Sequence, residues 1–191
     1  MFKIIKLKKG IRMTDNKIKV LIEIPEGSNI KYELNEESGQ IELDRILPTA
    51  MIYPVNYGLI QETRGEDGDA LDALVFLSAK INSGTTVKAK IIGVLEMEDE
   101  GGIDHKIVCV PESTKIDPIC GAWKSLAEIP EITKQAIKHF FEHYKDLEKG
   151  KWVKLKDWKN EKRALEILKT GKERFKKESC DDNCDCGCNH C

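Results

Sequence analysis

No run of apolar residues in this 191-residue chain approaches the ~18–20 that a membrane helix needs, so a helical membrane span is excluded. Residues 1–10 mix lysines with scattered apolar side chains. They offer no continuous apolar stretch and no small-residue cleavage site, so no signal peptide is expected. A more ordinary polar start begins at Met13, and residues 1–12 are expected to be an N-terminal extension. A strong net charge is missing too. The formal total of -2 balances 31 Lys and Arg against 33 Asp and Glu, and no basic stripe is interleaved with aromatics, so a nucleic-acid partner is not expected. A disulfide framework is also absent. Of the 7 cysteines only Cys109 and Cys120 lie in the body, while Cys180, Cys184, Cys186, Cys188 and Cys191 crowd the end. That distribution points to a cytoplasmic body carrying a separate thiol-rich tail.

What is present fits one soluble domain with a sizeable core: 40% hydrophobic and 34% charged residues. Residues 17–25 alternate as a strand does, with Pro25 ending it. Residues 31–34 and 41–43 flank a Ser-Gly turn signal and read as a β-hairpin. Strand-like runs follow at 72–77, 86–94 and 106–110. The period then becomes helical. Residues 130–147 place Ile132, Ala136, Ile137, Phe140, Phe141 and Tyr144 at helix spacing, and 160–177 form a second helix with Asn160 as its N-cap. Short strands first and helices last predict a β-rich α+β domain, either a small barrel or a sandwich.

The densest chemical signal is Glu66-Asp67-Gly68-Asp69-Ala70-Leu71-Asp72, followed at once by an apolar strand. Carboxylates crowded at the mouth of a buried strand need a neutralising partner, and hard oxygen ligands suit magnesium, manganese or calcium. The segment lacks the Gly and Glu positions of an EF-hand loop. A second acidic group, residues 98–104, follows the apolar run 91–95, and Glu23 stands inside a strand. Lys31, Arg45 and Lys106 adjoin predicted strands, Tyr53 and Tyr57 flank a turn, and Tyr144-Lys145 closes the first helix. Singly, each fits a solvated turn, a surface base or a core tyrosine. Together they supply acids for metals, and bases and hydroxyls for phosphate oxygens.

These residues stand in ordered motifs: Ile22-Glu23-Ile24-Pro25, Lys31-Tyr32-Glu33, Asp44-Arg45, the run 51–58, the acidic run 66–72, the run 99–106, and His139-Phe140-Phe141-Glu142-His143-Tyr144-Lys145. Over roughly residues 17–175 the chain resembles the family I soluble inorganic pyrophosphatases of prokaryotic type. It departs from their Asp-x-Asp-Pro-x-Asp signature in having Ala70 where Pro is usual, which removes no ligand. The resemblance implies a closed five-stranded OB-like barrel with flanking C-terminal helices. It implies magnesium-dependent hydrolysis of pyrophosphate, with several magnesium ions per active site and a metal-activated water as nucleophile. It assigns Asp69 as general base and Asp67, Asp72, Asp99, Asp104 and Glu23 as metal ligands. Lys31, Arg45, Tyr57, Lys106, Tyr144 and Lys145 become the phosphate-binding set, with Glu33 and Tyr53 supporting the pocket. It further implies a homohexamer whose trimer–trimer interface uses the helix of His139 and His143. The domain is expected over residues 13–178.

The tail, 179–191, lies outside the resemblance. Its thiolates and His190 suit zinc or copper(I), although the spacing is not that of a standard zinc finger. Two rival readings remain at this stage: a soft-metal carrier built on an inactive body, and an oligonucleotide-binding barrel. The complete acidic and basic set of the body argues against the first, and the mixed charge of its strands against the second.

Overall fold

The computed structural model describes residues 16–181, with side chains through Glu178. The alternating run near the start forms strand β1 (Lys17–Ile24), which stops at Pro25 because proline has no N–H to give a ladder. Strands β2 (Ile30–Asn35) and β3 (Gln40–Ile46) make the expected hairpin, which stands apart as a two-stranded sheet. Strands β4 (Asn56–Ile60), β5 (Asp72–Val75), β6 (Thr86–Asp99), β7 (Gly102–Ile103) and β8 (Lys106–Pro111) follow. Helix α1 (Glu131–His143), strand β9 (Val153–Asn160) and helix α2 (Glu161–Asp181) complete the order. Among the described residues no helix is long and apolar enough to cross a membrane.

The larger sheet closes on itself. β1 pairs with β4, β4 with β5, β8 with β6 and β6 with β1, all antiparallel, while β5 and β8 run parallel. The result is the five-stranded closed barrel that the resemblance implied, with two helices outside it. β6 is longer than the run 86–94 suggested. Its register shifts at Ile91/Gly93 against β8 and at Leu95/Met97 against β9. The strand thereby leaves the barrel and continues as the partner of β9 and β7.

Alternation sorts the apolar side chains into two clusters. One joins Val20, Ile22, Ala73, Val75, Ala89, Ile91, Ile107 and Cys109 to Ala164 and Leu168 of α2. The other takes the opposite faces, with Leu74, Phe76, Ile92, Val108 and Val110, and packs them beneath Ile137, Phe140 and Phe141 of α1. Close approach fixes β4 against β1. A side chain at Gly58 would place its Cβ 2.0 Å from the Leu21 carbonyl oxygen, so only glycine fits there. Asn160 accepts a hydrogen bond from the Arg163 backbone N–H at 3.3 Å, which caps α2 as expected. Helix α1 ends at His143, four residues short of the expected end, and residues 144–150 follow as turns and a bend.

Candidate active site

The first wall of the site belongs to the barrel. β4 presents Tyr57, β5 begins at Asp72, and β8 begins at Lys106 with Asp104 just before it. Lys106 is only 2% exposed, and its ammonium lies against Asp72, Asp104 and, at 3.1 Å, the Tyr57 hydroxyl. Burial alone would lower the pKa of this lysine. Asp104 and Asp72 outweigh it and hold the group well above its ordinary value, so it stays charged. Burial keeps the Tyr57 phenol protonated, and hence a donor. Phe141 lies under the same ammonium at 5.9 Å, and Tyr53 packs edge-on to Tyr57 at 5.4 Å. Tyr144 stacks on Phe140 at 5.1 Å, so α1 supplies the aromatic floor.

The second wall is the acidic loop between β4 and β5. Thr63 is buried. Its hydroxyl donates to the Ile60 carbonyl at 2.6 Å and accepts from the Leu71 N–H at 3.0 Å, pinching the loop at its base. Within the loop, the Asp67 carboxylate accepts from the Asp69 N–H at 3.1 Å, and the Gly65 N–H donates to the Asp69 carbonyl at 2.6 Å. Gly68 has φ +94, which a side chain would strain, and a Cβ on Gly65 would stand 2.6 Å from the Asp67 carboxylate. The two glycines thus let Asp67 and Asp69 project from one tight turn. Burial raises the pKa of the Asp69 carboxyl, and neighbouring Asp67 and Glu33 add to that.

The third wall is the β2–β3 hairpin. Lys31 pairs with Glu33 and, at 3.1 Å, with Asp44, and Arg45 stands on the neighbouring strand. Glu23, buried at the end of β1, accepts from the Leu34 N–H at 2.9 Å and so joins hairpin to barrel. Burial lifts its carboxyl to about 7, with Asp72 and Glu33 adding to the rise against the Leu34 N–H. On the opposite rim Lys145 meets Asp99 at 2.7 Å and Glu100 at 3.2 Å.

Every residue to which the resemblance assigns a metal, substrate, base or supporting role lines the cavity these walls enclose, about 480 Å³ in volume: Glu23, Lys31, Glu33, Arg45, Tyr53, Tyr57, Asp67, Asp69, Asp72, Asp99, Asp104, Lys106, Tyr144 and Lys145. The cavity also contains groups that the sequence reading did not single out as site residues, among them Glu36, Asp44, Glu100 and Lys151. Glu100 bonds both Lys145 and Lys151. Burial opposes its ionisation, yet Lys151, its own backbone N–H and Lys145 push its carboxyl down to about 2. Its place beside Asp99 was the available signal. Lys151 had none, because it reaches the rim from the turn before β9, a strand the sequence reading did not identify. His139 and His143 lie outside the cavity on α1, with ring centroids 4.7 Å apart.

The donors here are hard oxygens, which suit a divalent cation such as magnesium rather than a soft metal. As placed, Lys106 holds Asp72 and Asp104, and Lys145 holds Asp99. Among the described residues no three Asp, Glu, His or Cys side chains converge on one ion position. The site therefore fits a divalent cation by its chemistry, and its carboxylates would exchange a lysine partner for the ion. The cysteine-rich tail, expected to bind a soft metal, lies outside the described side chains.

A family model described as inorganic pyrophosphatase matches residues 20–176. The inorganic pyrophosphatase of Aquifex pyrophilus is 49% identical over 160 residues, 84% of this chain and 90% of that protein. That of Thermoplasma volcanium is 53% identical over 149 residues, 78% of this chain and 88% of that protein. The solved inorganic pyrophosphatase of Helicobacter pylori superposes with a TM-score of 0.82 at 43% identity, covering 89% of this chain and 99% of its own. The match spans the barrel, the hairpin and both helices, and the chain belongs to the inorganic pyrophosphatase family of enzymes.

Proposed function

We propose that the chain hydrolyses inorganic pyrophosphate to two phosphates in a magnesium-dependent attack by water. The observation that carries this reading is the charge balance of the cavity. Ten carboxyl side chains line it against five cationic ones. A dense polyanion cannot settle among surplus carboxylates unless cations come with it. Asp67, Asp72, Asp99, Asp104 and Glu23 would hold those ions. Held there, magnesium would supply charge neutralisation for the phosphates and activation of a water.

The chain's own groups do the rest. Asp69 takes the proton of the attacking water as general base. Lys31, Arg45, Lys106 and Lys145 hold phosphate oxygens by charge, and Tyr57 and Tyr144 hold them by hydroxyl donation. Glu33 orients Lys31, and Tyr53 supports Tyr57 from below. Residues 13–178 form the catalytic domain, which works in the cytoplasm as a homohexamer with the His139 and His143 face of α1 in the interface. The tail from residue 179 carries zinc or copper(I) and takes no part in hydrolysis.

The test is phosphate release from pyrophosphate, with magnesium and with excess chelator. Release with magnesium and none in chelator is expected. Full turnover in chelator overturns the metal requirement, and no release in either overturns the substrate.

A further inference from the structure

The hairpin carries Lys31 and Arg45, yet it is not part of the barrel. Its root is tied down. The Leu47 N–H donates to the Asn29 carbonyl, and the Tyr53 N–H to the Ser28 carbonyl, both at 2.8 Å. Toward its tip two hydrogen-bonded links hold it. One is the Leu34 N–H to Glu23. The other runs from the tip residue Glu36 to Arg64, with Nη1 to Oε1 at 2.9 Å and Nη2 to Oε2 at 3.1 Å.

Arg64 is well placed for this duty. Its backbone follows buried Thr63, whose hydroxyl is bonded twice, and its N–H donates to the Gly171 carbonyl of α2 at 3.0 Å. Its Nε donates to Glu178 at 2.8 Å, and its guanidinium lies 5.9 Å from the Phe175 ring centroid. The side chain is 16% exposed, although Glu36 and Glu178 are each more than half exposed. One planar group therefore spans three parts of the fold: hairpin tip, acidic loop and α2. A lysine has neither the fork nor the reach in two directions.

We propose that Arg64 is a positioning residue for substrate capture: it clasps the hairpin over the cavity and so presents Lys31 and Arg45 to the bound anion. This rests on the reading of the cavity as the pyrophosphate site. Without the clasp, the hairpin occupies its cavity-forming position only part of the time. The apparent affinity then falls by that fraction, while bound substrate restores the position and leaves the chemical step intact. The signature is thus a rise in KM with kcat preserved.

The test compares magnesium-supported pyrophosphate hydrolysis in the wild type and in Arg64→Ala, Arg64→Lys, Glu36→Gln and Arg174→Ala. Arg64→Ala is expected to raise KM by about two- to fivefold, the scale of one partly exposed charged link, with kcat within about twofold. Arg64→Lys should recover part of the loss and Glu36→Gln should reproduce it. Arg174→Ala is the control. It breaks a separate 2.8 Å pair between α2 and Glu66 of the acidic loop, leaves the hairpin alone, and should not move KM. An unchanged KM in Arg64→Ala overturns the clasp. So does an equal rise in Arg174→Ala, or a loss confined to kcat. An inactive wild type would instead overturn the substrate assignment.

Discussion

The barrel wall and the rim of the cavity hold their charges in opposite ways. On the wall, Lys106 is almost fully buried among Asp72, Asp104 and two aromatic rings, and each charge depends on its neighbours. On the rim, Asp67 and Asp69 are exposed at a turn set by glycines and backbone hydrogen bonds. A charge on the wall cannot be removed without stranding others in a poorly solvating place, whereas a rim charge can change while water solvates what remains. The wall should therefore couple function to stability, and the rim should separate them.

The sharpest break in that comparison is Asp69→Asn. It removes the proposed base and keeps the shape, so kcat should fall by about 10²–10⁴-fold. Urea unfolding should move by no more than about 0.5 kcal/mol, as for an exposed position. Near wild-type turnover at neutral pH would assign the proton to another group. Lys106→Met is next. With metal absent, it leaves Asp72 and Asp104 facing each other in a buried wall, and a loss of about 3–5 kcal/mol in urea unfolding is expected. An unchanged midpoint would mean that water reaches this wall and that the contrast with the rim is false. The smallest effect belongs to truncation after Glu178. Hydrolysis should stay within about twofold of the full chain, while tight thiolate-held zinc is lost from the reduced chain, since Cys109 and Cys120 are too few for a closed four-ligand site. Loss of hydrolysis on truncation would make the tail part of the catalytic unit.

The elements legible in the sequence were those with a surviving period or an unbroken apolar run, as in the fully buried β8. β1 alternates over its first four residues, with Lys17 and Lys19 exposed, and α1 buries a stripe of Ile137, Phe140 and Phe141, so both periods survive in the residue order. β4 did not show, because Asn56 and Gly58 interrupt its apolar run just after Pro54, which reads locally as a loop. β9 was hidden for another reason. Its Val153, Leu155 and Trp158 are only half-buried among lysines, and it takes its place because the bulges of β6 turn that strand outward to meet it. The site residues were nominated by family motifs rather than by local pattern, and the fold brings them to one cavity from strands far apart in sequence. What sequence order could not supply is the third dimension of the pairing. Glu36 and Arg64 are 28 positions apart, and Arg64 and Glu178 are 114 apart, with nothing in either neighbourhood to mark the contact.

The surplus of acid in the cavity also makes its occupancy a coincidence detector. The anion lowers the electrostatic cost of loading cations, and the cations lower the cost of loading the anion. By linkage, each must raise the other's affinity by the same factor. Neither dissociation constant is then a property of the protein alone, because each is defined only at a stated level of the other ligand. On the proposed function, the concentration of free divalent ion around the enzyme would then set the pyrophosphate level at which the site fills, with no separate regulatory site required.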